Sequence, residues 1–225
     1  MKDKPTFSID NFHNALIIEP SAETKRRHKP GIKRIAHLNY VLSQLTIPGE
    51  VMEFGVHTGG SIRRIGEYFP MQSVYGFDSF EGLPEAWFMT QQQRNKESKI
   101  AHPVGHFALD RLPQVSQNTI LVKGFFDTSL PQWLSENPIK QIKLLHIDSD
   151  LSSSAKTVLT LLNEYIVPGT TIIFDELYPW GSYKEYDLWE EGEWQALTEW
   201  ITEFDRSIEV ISRNCHQQAA IRIIK

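Results

Sequence analysis

A doubly wound α/β fold is predicted, with a mostly parallel seven-stranded sheet and a C-terminal antiparallel hairpin, on three observations. From about residue 50 onward, short apolar runs alternate with helix-length segments. The runs show little polar alternation, as strands buried on both faces should. Two last apolar runs are separated only by a short polar turn, the mark of a hairpin.

The elements follow in order. Residues 1–48 read as an N-terminal helical segment, in which a basic cluster, Lys25-Arg26-Arg27-His28-Lys29, precedes a helix over Ile32–Leu45 that Pro48-Gly49 ends. So short a basic run reads as a solvated surface rather than a substrate-phosphate site. Strands are expected at Val51–Phe54, Val74–Phe77, Ile120–Val122, Lys143–Ile147 and Thr170–Phe174, with helices around Ser61–Tyr68, Ser152–Tyr165 and Glu190–Phe204. Ile208–Ile211 and Ala219–Ile224 form the hairpin, expected at the sheet edge. Residues 79–118 break the rhythm, with no clear strand but with Trp87, Phe88 and Phe107, over a span longer than an ordinary connection. An insertion at the carboxyl end of the sheet is well placed to cover a ligand, and a helical surface excursion fits equally.

The 225 residues, 40% of them hydrophobic, can bury one sizeable core, so residues 1–225 are read as one domain. A net charge of -5 disfavours nucleic acid and anionic membranes as partners. The single cysteine, Cys215, excludes an internal disulfide framework and reads as a small, partly buried apolar residue. No apolar run approaches the ~20 residues of a membrane helix, and the N-terminus does not resemble a signal peptide. A cytoplasmic protein is expected.

Chemistry concentrates first in Val51-Met-Glu-Phe-Gly-Val-His-Thr-Gly-Gly-Ser61 and Val74-Tyr-Gly-Phe-Asp78. Gly55, Gly59 and Gly60 let the backbone turn tightly and approach a ligand, while the next helix points free N–H groups at it. Asp78, ending the second strand, can accept both hydroxyls of a ribose. The third glycine of the dinucleotide fingerprint is missing, which argues against a pyrophosphate. Glu53, just before the turn, suits a ligand bearing an ammonium group. S-adenosylmethionine meets all three conditions, although an ordinary tight βα connection would read much the same before Asp78 is counted.

A second concentration is acidic. Asp148 and Asp150 follow one strand and Asp175 and Glu176 the next, so their carboxylates converge at the edge that carries Asp78. Carboxylates so close repel unless something positive lies among them, and Mg²⁺ is the simplest remedy. Asp150 is expected instead to cap the helix beginning near Ser152. His146 reads as a satisfied core histidine, and His57, in the glycine turn, as either a ligand contact or a loop residue.

These two segments, with Asp78-Ser-Phe-Glu-Gly-Leu-Pro84, Lys123-Gly-Phe-Phe-Asp-Thr-Ser-Leu-Pro131, Leu145-His-Ile-Asp-Ser-Asp-Leu151 and Pro168-Gly-Thr-Thr-Ile-Ile-Phe-Asp-Glu-Leu177, resemble the macrocin O-methyltransferase family in order and spacing. The resemblance implies a Rossmann-like class I S-adenosylmethionine-dependent O-methyltransferase, often divalent-metal-dependent. Its acceptor would be a hydroxylated small molecule, a sugar or other natural-product intermediate. It implies cofactor contacts at Glu53, Gly55, Gly59, Ser61, Asp78, Ser79, Phe80, Asp127 and Asp148, and metal ligands at Asp148, Asp175 and Glu176. Asp148 is the candidate base, with His57 as a second catalytic candidate. Glu176 stands where many relatives carry aspartate, and Ser152 where they carry tyrosine, a loss that could widen the pocket or remove a cofactor contact. Relatives are often multimers, which leaves a homo-oligomer open.

Tyr178, Trp180, Tyr183 and Tyr186 offer flat faces to a sugar or aromatic acceptor, or simply pack on the next helix. Trp189, Trp194 and Trp200 recur near helical spacing and read as core or a subunit contact. Metal-independent N- or carboxyl-methylation is the alternative chemistry; an NAD-dependent oxidoreductase or a non-catalytic nucleotide-binding module fits less well.

Overall fold

Eight strands share one sheet in the computed structural model, which describes residues 8–20, 33–180 and 186–225 in full and the backbone of residues 30–32. The basic cluster at residues 25–29 and Tyr183 lie outside the described residues. The strands are β1 (Ile17–Ile18), β2 (Glu50–Phe54), β3 (Val74–Asp78), β4 (Thr119–Lys123), β5 (Ile142–Ile147), β6 (Thr171–Phe174), β7 (Ile208–Asn214) and β8 (Ala219–Ile223). Their spatial order is β1-β7-β8-β6-β5-β2-β3-β4. Five of them, β6-β5-β2-β3-β4, run parallel, and β8 is antiparallel to both β6 and β7.

All seven expected strands are present, and the eighth is β1, whose two isoleucines are too few to carry a period. The hairpin β7–β8 forms, but not at the edge: β8 lies between β6 and β7, and β1 pairs outside β7. Interior placement explains why Ala219, Ala220, Ile221 and Ile223 are all fully buried.

Helices α1 (Ile9–His13), α2 (Pro30–Ser43), α3 (Gly60–Tyr68), α4 (Gln91–Arg94), α5 (Phe126–Glu136), α6 (Ser152–Leu161) and α7 (Glu193–Glu203), with a short 3-10 turn at Trp189–Glu191, complete the described elements. On one face, Leu38, Val41 and Leu42 of α2 and Ile62 and Ile65 of α3 pack on Val51, Val74, Leu144 and Ile173. On the other, α5, α6 and α7 cover Met52, Phe54, Leu145, Ile147 and Ile172. Neighbouring strand residues thus face opposite layers, which is why no polar alternation is visible in the sequence. The helix α5 was not legible, because Pro131 sits inside it and reads as a breaker. Its Leu130 and Trp133 nevertheless join the core, and that burial outweighs the lost hydrogen bond.

Residues 79–118 contain one helical turn, α4, and one bridge between Trp87 and His102. Leu83, Trp87 and Met89 form a small separate core with Leu151 and Tyr186. The C-terminal tryptophans are packing groups: Trp200 is 1% exposed in the main core, and Trp194 meets Phe12 edge to face. Cys215 is half-buried in the β7–β8 turn.

Candidate active site

The order of strands reverses across β2, so a crevice opens beyond the carboxyl ends of β2 and β5, where open α/β sheets bind ligands. Gly55 ends β2 there with φ 92°, and a Cβ on it would lie 1.7 Å from the Asp148 carbonyl oxygen. The Asp148 N–H donates to the Phe54 carbonyl at 2.8 Å, so this aspartate is pinned beside the turn. Gly59, at φ 79°, is the N-cap of α3. Asp78 holds the turn from the next strand: Val56 N–H and His57 N–H donate to its Oδ2 at 2.8 and 2.7 Å, and Phe80 N–H to its Oδ1 at 2.7 Å. The Ser79 hydroxyl donates to the Gly82 carbonyl, whereas Phe80 is 4% exposed and packs into the core.

Glu53 is fully buried, accepting from the Ser61 hydroxyl at 3.0 Å and facing His146 Nδ1 at 2.9 Å. Burial lifts its pKa, against the opposing pull of His146 and Ser61. For His146, burial disfavours charge, but Asp175 and Glu53 outweigh it and raise the imidazole well above its ordinary value. His146 is therefore a bridge between the glycine turn and the acidic cluster, more than a satisfied core histidine.

The acidic groups do converge, and beside His146 a second positive group lies among them, Arg34 on α2. Its Nη2 lies 2.7 Å from Asp175 Oδ2 and also contacts Glu176 Oε1. Burial works against the guanidinium charge, yet Asp175, Glu176, Asp148 and Asp150 together raise its pKa. Asp175 is driven down despite its burial by Arg34 and His146. Glu176 and Asp148 are pushed well up by burial and then by the charge on Asp175. Asp150 rises to about 7, chiefly by burial. It does not cap α6: the N-cap is Leu151, with no side-chain cap, and Asp150 has φ 61°. That left-handed turn carries its carboxylate back toward Asp148.

Among the described residues, potential metal ligands fall into two groups, each with ligand atoms within 4.8 Å: His146, Asp148 and Asp175, and Asp148, Asp150 and Glu176. Asp148 is in both. The three residues expected to bind metal are thus divided between two neighbouring groups, and Asp150 joins the all-oxygen one.

Three further residues brace the cluster. Gln218 Nε2 donates to Asp175 Oδ1, and its Oε1 faces His37 Nδ1 at 2.8 Å, while His37 Nε2 meets the Ser212 hydroxyl at 3.0 Å. Burial lowers His37 to about 4, with Gln218 opposing. Glu193, at the start of α7, accepts the backbone N–H of Ser149 at 3.2 Å and of Glu176 at 3.1 Å, and burial raises it to about 8. No period or motif marks Arg34, His37 or Glu193, since each reads as an ordinary polar residue of a helix.

A cavity of about 810 Å³ contains Gly55, Asp78, Ser79, Asp127, Asp148, Asp150 and Glu176 in its wall, with Leu83, Trp87, His102 and Phe107 from residues 79–118. A second, of about 720 Å³, is lined by α2, the glycine turn, Ser61, Asp175 and Gln218. Arg34, His57 and Asp148 line both. His57 is exposed and packs against Phe107 with ring centroids 5.3 Å apart. Tyr178, Trp180 and Tyr186 are outside both walls; Tyr178 and Trp180 pack on the core and Tyr186 under Trp87. Ser152 is likewise outside, and Ser153, Ser154 and Thr157 of α6 face the larger cavity.

Fold and crevice suit an adenosine-containing cofactor, and the family match makes the protein a Rossmann-like methyltransferase that uses S-adenosylmethionine. The chain belongs to the macrocin-O-methyltransferase (TylF) family, whose model matches residues 28–205. Among solved structures, it is similar to CalS11, a calicheamicin methyltransferase, at 24% identity and TM-score 0.64, over 88% of this chain and 80% of that one. An apo structure of CalS11, described as a TDP-rhamnose 3'-O-methyltransferase, matches at 22% identity and TM-score 0.57 over 90% and 86%. The O-methyltransferase NovP matches at 20% identity and TM-score 0.57 over 86% and 81%. At these identities the likeness is one of fold. No curated protein matches the sequence. No helix among the described residues is long and apolar enough to cross a membrane.

Proposed function

We propose that the protein methylates a hydroxyl of a sugar or other natural-product small molecule, with a divalent cation assisting, in one domain whose residues 79–118 cover the acceptor. The observation that carries this reading is the position of Asp148, between the glycine turn and the acidic pair and in the wall of both cavities. The family membership supports an O-linked acceptor, and the sugar-directed names of CalS11 support a glycoside.

In this reading Asp78 and Asp127 orient the ribose end of the donor, with Gly55 and Ser79 forming the floor, while Ser61 faces its amino-acid end and Gly59, outside both cavity walls, acts by shaping the turn. Glu53 acts on that end through Ser61, because it is fully buried and lines neither cavity. Phe80 acts only by packing beneath the strand end. Bound there, S-adenosylmethionine supplies an electrophilic methyl carbon, and a divalent cation supplies a Lewis acid that lowers the pKa of the acceptor hydroxyl. Asp148, Asp175 and Glu176, joined by Asp150, would hold the cation. The donors are hard oxygens, and Glu176 Oε2 is buried without a hydrogen-bond partner.

Asp148 accepts the hydroxyl proton, an effect worth roughly 10²–10⁴-fold, and positioning of the two reactants contributes about 7–11 kcal/mol. His57, exposed at the junction of the cavities, contacts the acceptor. The test is transfer of a labelled methyl group from S-adenosylmethionine to a panel of hydroxylated glycosides, with and without chelator. Label in a base-stable ether that needs Mg²⁺ is the expected outcome; label in an amine or ester, unaffected by chelation, would favour the metal-independent alternative.

A further inference from the structure

We infer that Arg34 is the internal counter-ion of the acidic cluster and competes with the divalent cation for Asp175 and Glu176, withdrawing into the second cavity when the cation arrives. The inference rests on the metal-assisted reading above and adds a residue to it that sets cation affinity.

Three observations carry it. First, Arg34 contacts both carboxylates through one nitrogen, Nη2, so its positive charge sits on two of the oxygens nearest a bound cation and repels the cation at close range. Second, both acidic residues have anchors besides Arg34, whereas among the described residues the guanidinium is held by these two alone. Asp175 is held from behind by Gln218, and the backbone of Glu176 is tied to Glu193, whereas Arg34 rides on a long side chain that is 33% exposed, with its Nε lacking a partner. Third, it has somewhere to go. The cavity of about 720 Å³ opens along its own helix, past Ile35, Leu38 and Asn39, and Arg34 already forms part of its wall. Carboxylates buried this deeply stay ionised only beside a positive partner, since unpaired buried charge is costly. Arg34 fills that need before a cation binds, at the expense of cation affinity.

Direct titration of Mn²⁺ into wild type, Arg34→Gln and Arg34→Lys tests this. The glutamine variant should bind Mn²⁺ roughly tenfold to a hundredfold more tightly, the scale of a lost charge-assisted hydrogen bond, and the lysine variant should stay near wild type. Equal or weaker binding by Arg34→Gln overturns the inference while the metal reading stands; no Mn²⁺ binding by any of the three overturns both. Should the glutamine variant not fold, wild type labelled with ¹⁵N-arginine decides. The Nε–H resonance absent from Arg34→Lys should shift on saturation with Mg²⁺, and an unmoved resonance with Mg²⁺ bound overturns the inference.

Discussion

Single residues carry the sharpest consequences. Gly55→Ala would press a methyl group to 1.7 Å from the Asp148 carbonyl at a φ of 92°, so strand ends must part. A loss of more than about 3 kcal/mol is expected in urea unfolding. Asp148→Asn keeps the volume and removes the proton acceptor: turnover should vanish while affinity for S-adenosylhomocysteine changes little, and loss of all binding would contradict that division of roles. Asp78→Ala should do the reverse, weakening S-adenosylhomocysteine by about 1–3 kcal/mol in calorimetry. Part of that loss would come from the turn, because Asp78 accepts three backbone N–H groups around it. The glycines, Asp78 and the acidic residues were all legible in the sequence, since strand-end position alone converges them. Arg34 was not, because its partners lie 141 and 142 positions away and only the folded sheet brings them near.

Elements position these residues. The ends of β5 and β6 are tied together by Glu193 at the start of α7, which accepts one N–H from each. Glu193→Gln offers one acceptor in place of two, so a loss of about 1–3 kcal/mol is expected by urea unfolding. A fall in kcat with S-adenosylhomocysteine affinity nearly kept would accompany it; an unchanged kcat would detach α7 from catalysis. Strands β2, β3, β5 and β6 were legible as short, mostly apolar runs, whereas α5 was hidden by Pro131 and β1 by its brevity. Asp150 was misread as a cap because its left-handed φ, which turns it toward Asp148, has no signature in an aspartate.

Across the whole molecule, the brace His37–Gln218–Asp175 links α2, the hairpin and the cluster, and it is sensitive to acid. Burial lowers His37 to about 4, so its stabilising contribution is intact above the unfolded value near 6.5 and is lost as the pH falls toward about 4. Between pH 7 and 5 that loss is about 2 kcal/mol, and His37→Asn should remove most of this increment from the pH dependence of unfolding. An undiminished increment would assign the acid sensitivity to other groups, such as His216, which burial also lowers to about 4. The doubly wound architecture was readable from alternation alone, yet the interior position of β8 depends on pairing that no local pattern encodes. The central claim is that the crevice beyond β2 and β5 binds an S-adenosyl ligand, and calorimetric titration of the wild-type protein with S-adenosylhomocysteine, with NAD as comparison and with and without Mg²⁺, tests it most directly. Micromolar binding of S-adenosylhomocysteine and none of NAD is the expected result; no binding, or binding of NAD alone, would contradict the account.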